Sequence, residues 1–171
     1  IDAQLGHPDP FTLLEMGGGN GTFALDFLKA CRTIAAELFN RLSYLMVERS
    51  SHLQSRQSSR IREGLGNWAE GHVSWRASVE EIASDSLTGV CFSNELVDAL
   101  PVHRVRWEHN QLCEMCVIYE GGHFVEYQDP APSPKLAEYV DIHKISLSEG
   151  QTTELHIEAE AWMKHVARVL H

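Results

Sequence analysis

Ten residues, Leu13-Leu14-Glu15-Met16-Gly17-Gly18-Gly19-Asn20-Gly21-Thr22, constrain this chain more than any others. An apolar run closes on an acidic residue and opens at once into four glycines within five positions. That pattern reads as a buried strand delivering a tight turn into the first turn of a helix. In α/β proteins such a turn holds nucleotide-like ligands, because the helix N-terminus offers unpaired amides and glycine lets a ligand approach the backbone. The alternative is that the glycines only make the turn, although they remove side chains over a longer stretch than a turn requires.

Around this turn the chain predicts an alternation of strands and helices. Phe11–Met16 is the first strand, following an irregular lead-in with Gly6, Pro8 and Pro10. Phe23, Phe27, Leu28 and Cys31, then Ile34, Leu38, Phe39 and Leu42, fall at helical spacing, with a break expected near Arg32-Thr33. Residues 43–47 form a second apolar run ending at Glu48, and Ser50 or Ser51 is placed to cap a polar helix carrying Leu53, Ile61 and Leu65. Gly64, Gly66, Asn67 and Gly71 mark a loop before a third strand over 72–76, and 79–83 is a single helical turn. The fourth strand is Gly89–Ser93.

Beyond Pro101 the period changes to two, predicting a three-stranded antiparallel meander through His103, Val105 and Trp107, residues 112–119, and residues 123–127. A Pro-rich linker over 129–134 leads to a short helix at 136–142, and 146–153 is a further polar break. The last segment carries Leu155, Ala159, Trp162, Val166 and Val169 on one stripe, with acids early and bases late, as the helix dipole favours. In β/α order such a helix feeds another parallel strand, so the chain is expected to be part of a longer one. The expected organisation is a core over 1–101, a meander insertion over 102–128, and a helical segment over 129–171 belonging to the same domain as the core.

Composition excludes several classes. A formal charge of −10 in 171 residues argues against a nucleic-acid partner and favours a cationic one. Four cysteines do not make a disulfide scaffold, and no apolar run is long enough for membrane insertion. Cys113 and Cys116 stand i, i+3 in an expected strand, on opposite faces and without a second pair, so no metal site is expected.

The dinucleotide fingerprint needs Gly or Ala three positions after its second glycine, where this chain has Thr22. Glycines at every second position, Gly17, Gly19 and Gly21, after the strand-closing Glu15, instead resemble the first motif of class I S-adenosylmethionine-dependent methyltransferases. There the turn lies against the amino-acid part of the cofactor, and the carboxylate accepts from its ammonium directly or through water. Glu48, closing the second strand, stands where α/β nucleotide binders place a carboxylate on the ribose hydroxyls, unless it is simply a surface acid at a helix start. Ser78 and Val79 follow the third strand, where these enzymes place the adenine.

At the carboxyl end of the fourth strand runs Asn94-Glu95-Leu96-Val97-Asp98-Ala99-Leu100-Pro101-Val102-His103-Arg104. Together with LLEMGGGNGT, VERS and VSWRASVEEI, this stretch resembles the MidA-like family of class I methyltransferases, which includes the mitochondrial protein-arginine methyltransferase of respiratory complex I assembly. The resemblance covers most of residues 11–108. It implies a truncated Rossmann-like α/β sheet with the antiparallel meander inserted after strand four, S-adenosyl-L-methionine as cofactor, and transfer of a methyl group to a protein arginine. The implied partner is a protein with an accessible arginine, such as a respiratory complex I subunit. The implied location is the bacterial cytoplasm or, alternatively, the mitochondrial matrix. Glu95 and Asp98 are the candidates to grip a guanidinium, with Asn94 orienting cofactor or substrate. Asp98 as a helix cap and Glu95 as a solvated charge are the structural alternative. A non-catalytic cofactor-binding or assembly module on the same fold is the alternative function.

Overall fold

A computed structural model describes residues Ile1–His171, which divide into two compact units: Ile1–Ala99 with Trp162–His171, and Leu100–Ala161. The first unit is built on β1, Phe11–Met16, in which every residue is buried. After the glycine turn come α1, Thr22–Ile34, and α2, Ala36–Arg41, separated at Ala35 rather than at Arg32-Thr33. The helix continues through Thr33, whose hydroxyl donates back to the Lys29 carbonyl. Strand β2, Leu42–Val47, is followed by α3, Ser51–Leu65, whose cap is Ser50: its hydroxyl accepts from the Leu53 amide at 3.3 Å.

The stretch expected as a loop after α3 contains a short helix, α4, Trp68–His72. Its cause is aromatic packing: the Trp68 ring stacks between Phe39 at 3.9 Å and His72 at 4.3 Å, an arrangement that a turn-rich local sequence does not announce. Strand β3, Val73–Arg76, a 3₁₀ turn at Val79–Glu81, and β4, Gly89–Ser93, complete the sheet, and a second 3₁₀ turn follows at Val97–Ala99.

The strands are all parallel, in the order β3-β2-β1-β4. Alternate residues of β1 and β2 enter two separate cores, as the period of two requires. Phe11, Leu13, Leu42, Tyr44 and Met46 join Ala24, Leu28 and Ile61 of the helices on one face. Leu14, Met16, Leu45 and Val47 join Val79, Ile82 and Leu87 on the other. Arg41 ties the lead-in to the unit, donating to the Pro8 carbonyl at 2.7 Å and to the Asp2 carboxylate at 2.6 Å.

In the second unit β5, His103–Glu108, β6, Gln111–Glu120, and β7, His123–Asp129, form the expected antiparallel meander. Helix α5 is Pro134–Ile142. The polar break over 146–153 instead runs into a fourth strand, β8, Thr152–Leu155, antiparallel to β5 and giving the order β7-β6-β5-β8. Only Leu155 of β8 is buried, so the strand carries almost no apolar signal; it is held by the backbone groups of β5. Val105, Leu136 and Leu155 form this unit's core. Helix α6, Ile157–Val169, contributes Val166 and Val169 to the second core of the first unit, and beyond it Leu170 makes a parallel bridge beside Leu87. No helix is long and apolar enough to cross a membrane.

Gly89 marks the closest approach in the sheet, since a Cβ there would lie 1.9 Å from the Thr12 carbonyl oxygen. Gly89→Ala therefore forces β4 away from β1. The expected loss is about 2 kcal/mol or more, at the upper end of overpacking costs, read as a lower urea midpoint at unchanged slope.

Candidate functional site

Register brings the candidate residues to one edge. Met16 is level with Val47 on one side and Ser93 on the other, and Val47 is level with Arg76. The next residues, Gly17, Glu48, Ala77 and Asn94, therefore leave the carboxyl edge in a row, adjacent strands being about 4.8 Å apart. The ladder runs slightly past the strands, from the Gly17 amide to the Val47 carbonyl at 3.3 Å and from the Glu48 amide to the Arg76 carbonyl at 3.0 Å. The strand order reverses between β1 and β4, and open parallel sheets bind ligands at the carboxyl side of such a reversal.

The turn itself is built by glycine. Gly17, Gly19 and Gly21 have φ of 74°, 53° and 80°, in the left-handed region that side chains disfavour. At Gly18 the restriction is contact: a Cβ would stand 2.7 Å from the Met46 methyl and 3.0 Å from the Glu15 carboxyl. Gly19 differs, since a Cβ there would meet nothing within 4 Å. The turn thus packs tightly against the sheet beneath it at Gly18 and faces open space at Gly19. Gly21 offers α1 no side-chain cap.

Glu15 lies beneath this turn, only 3% exposed, and its Oε2 accepts from the Tyr44 hydroxyl at 2.9 Å. Burial raises the pKa of the carboxyl, opposed by the tyrosine hydrogen bond, and burial together with the neighbouring carboxylate pushes Tyr44 far upward. Glu48 is half-buried and bonds at both ends of the turn into α3: Oε1 accepts from the Ser50 amide at 2.8 Å, and its carbonyl accepts from Gln54 Nε2 at 2.6 Å. One carboxylate oxygen thus organises the helix start, leaving the other for a ligand.

Ser78 is half-buried beside Glu80, whose carboxyl is held low by backbone and Ser78 hydrogen bonds. Val79 is buried among Leu14, Val47 and Ile82, so its side chain serves the core. Asn94, Glu95 and Asp98 are exposed at the edge. Glu95 has φ 53°, a left-handed conformation uncommon for a residue with a side chain. Asp98 sits inside the 3₁₀ turn, and no hydrogen bond or ion pair occupies either carboxylate. Between them Leu96 packs on the glycine turn, its Cδ1 3.1 Å from where a Cβ of Gly17 would be. The two motifs are therefore in contact.

Gln57 of α3 joins the site from outside the motifs. It is completely buried, donating from Nε2 to the Gly19 carbonyl at 2.8 Å and accepting at Oε1 from the Trp75 indole at 2.9 Å. A signal for it exists in the sequence: 57, 61 and 65 share one helix stripe, so a glutamine at the first position is a polar group facing the core. No group of three or more His, Cys, Asp or Glu side chains is arranged to hold a metal ion.

A family described as "Putative S-adenosyl-L-methionine-dependent methyltransferase" matches residues 3–171. The Drosophila melanogaster protein arginine methyltransferase NDUFAF7 homolog, mitochondrial, is 29% identical over 118 residues, 60% of this chain and 26% of that protein. A native crystal structure of a superfamily protein from Burkholderia thailandensis is similar at a TM-score of 0.75 and 28% identity, over 98% of this chain and 43% of its own. A superfamily member from the same species, bound to S-adenosyl-homocysteine, gives 0.74 and 28%, over 98% of this chain and 41% of its own. The chain thus spans about a quarter of that curated relative and about two fifths of these solved proteins.

Because the folded-state pKa of Glu15 is raised above its ordinary 4.5, the carboxyl costs stability as pH rises through and above that value. Tyr44→Phe removes the hydrogen bond that opposes this shift. The variant is expected to match wild type most closely at pH 4 and to lose about 1.5–3 kcal/mol more by pH 8, read from urea midpoints across that range.

Proposed function

We propose, since the chain belongs to the MidA-like family of S-adenosyl-L-methionine-dependent methyltransferases, that it binds S-adenosyl-L-methionine at the glycine turn and takes part in methyl transfer to a protein arginine. The observation that carries this reading is the single edge on which Gly17, Glu48 and Asn94 emerge side by side at the reversal between β1 and β4. The residues fit the cofactor: the open side of Gly19 admits a ligand against bare backbone, and the buried Glu15 carboxyl favours an ammonium above the turn. The spare oxygen of Glu48 accepts from ribose hydroxyls, with Ser78 and the Val79 backbone beside the adenine.

When bound, the cofactor supplies a methyl group on a cationic sulfur, which leaves as the thioether. The chain's own residues orient the acceptor. Glu95 and Asp98, both unpaired, accept hydrogen bonds from a guanidinium and hold one nitrogen toward the methyl, while Asn94 fixes the approach. A nitrogen so held would present its lone pair to a methyl donor seated at the turn, and the proton it sheds on methylation would pass to one of these carboxylates or to water. The formal charge of −10 supports a cationic peptide as acceptor. The arginine assignment draws further support from the Drosophila relative, and a respiratory complex I subunit is the acceptor protein that the family resemblance suggests.

Titration calorimetry with S-adenosylhomocysteine is expected to show binding, weakened about tenfold by Glu48→Ala, a loss of about 1.4 kcal/mol. In the full-length protein, Glu95→Ala with Asp98→Ala is expected to lower kcat on an arginine peptide about 100-fold or more while leaving that affinity within twofold. Binding with no transfer by the full-length protein favours the assembly module, and absence of binding refutes the cofactor assignment.

A further inference from the structure

We infer that Gln57 is a positioning residue for the glycine turn: its side-chain amide sets the conformation of Gly19 and ties it to Trp75 of β3. The inference rests on the reading of that turn as the cofactor loop. Three observations carry it. Gln57 is completely buried in a helix whose other buried residues, Ile61 and Leu65, are both apolar. A buried primary amide is costly unless its donors and acceptor are met, and here Nε2 reaches the Gly19 carbonyl at 2.8 Å while Oε1 takes the Trp75 indole N–H at 2.9 Å.

The orientation of the amide is fixed by chemistry. An indole nitrogen only donates and a carbonyl only accepts, so the oxygen must face Trp75 and the nitrogen Gly19. The same residue also sets the clearance of the turn, because its Cγ and Cα stand 3.2 and 3.3 Å from where a Cβ of Gly21 would be. One side chain therefore pins the middle of the turn and abuts its exit into α1.

The consequence is directional. With its carbonyl drawn inward toward α3, the Gly19 peptide is held in one orientation on the side of the turn that is open to a ligand. Without the amide, the carbonyl has no partner and the peptide is free to rotate. Arg60 of α3 supports the neighbouring residues from outside, donating to Asn20 Oδ1 and to the Thr22 hydroxyl, but both contacts are exposed. Gln57 is the buried anchor.

Gln57→Glu and Gln57→Leu separate positioning from packing, with Ile61→Val, one turn along the same buried stripe, as the stability control. In Gln57→Glu the ionised carboxylate still accepts from Trp75 but repels the Gly19 carbonyl; once protonated it donates to that carbonyl again. The first readout needs no cofactor: exchange of the Gly21 amide, which donates to the Gly18 carbonyl at 2.9 Å across the turn, is expected to speed up at least tenfold, after correction for global stability, in Gln57→Leu and not in Ile61→Val.

The second readout is S-adenosylhomocysteine affinity, expected to fall at least tenfold in Gln57→Glu at pH 8 and to recover toward wild type at pH 5.5. Gln57→Leu should lose affinity equally at both. Unchanged exchange in Gln57→Leu overturns the inference whether or not the cofactor binds. So does a Gln57→Glu affinity without pH-dependent recovery in a chain whose wild type binds. Faster exchange in Gln57→Leu, in a chain whose wild type does not bind, leaves the positioning role standing and overturns the cofactor reading instead.

Discussion

Strand β1 is held by ladders on both sides, and the site follows from that confinement. Its six residues are buried and register with β2 on one side and β4 on the other, so its two neighbours cannot slip without exposing alternating apolar side chains. Fixing the register fixes which residues follow at the carboxyl edge. The glycine turn, the Glu48 carboxylate and the Asn94–Asp98 stretch lie together because their strands end together. No long-range attraction between them is needed.

Burial of an acid beneath the turn is the electrostatic counterpart of this geometry. Glu15 occupies a position that a strand facing two cores would ordinarily give to an apolar residue, and its cost is reduced by the Tyr44 hydroxyl from the adjacent strand. The strain in the Glu95 backbone belongs to the same edge, since residues held in sparsely populated conformations persist where their surroundings over-determine them. Stability is given up along the carboxyl edge and recovered in the cores on either face of the sheet.

The parallel sheet and its edge are legible in the sequence because each strand is a short apolar run closed by a polar residue. Glu15, Glu48 and Asn94 fall within one residue of the ends of β1, β2 and β4 in the bare residue order, and Ser50 marks its helix through a cap. What is not legible depends on contacts distant in sequence. Helix α4 forms because Trp68 stacks on Phe39, and β8 forms because β5 has backbone groups to satisfy, neither of which leaves a periodic trace in its own segment. Gln57 is intermediate: its place on an apolar stripe is visible, but its partners Gly19 and Trp75 are set by the fold. Val79 is placed by its position after β3, and its side chain belongs to the core, which leaves its backbone at the edge.

Leu96 lies over the glycine turn, its Cδ1 3.1 Å from where a Cβ of Gly17 would be, so it takes space that only a residue without a side chain leaves open. Close-packed atoms transmit displacement instead of absorbing it. A side chain at position 17 would therefore press on Leu96 and, through it, on the segment that carries Glu95 and Asp98. Gly17 thus serves two neighbours at once, giving the turn a backbone conformation that side chains disfavour and giving Leu96 the room to lie against it.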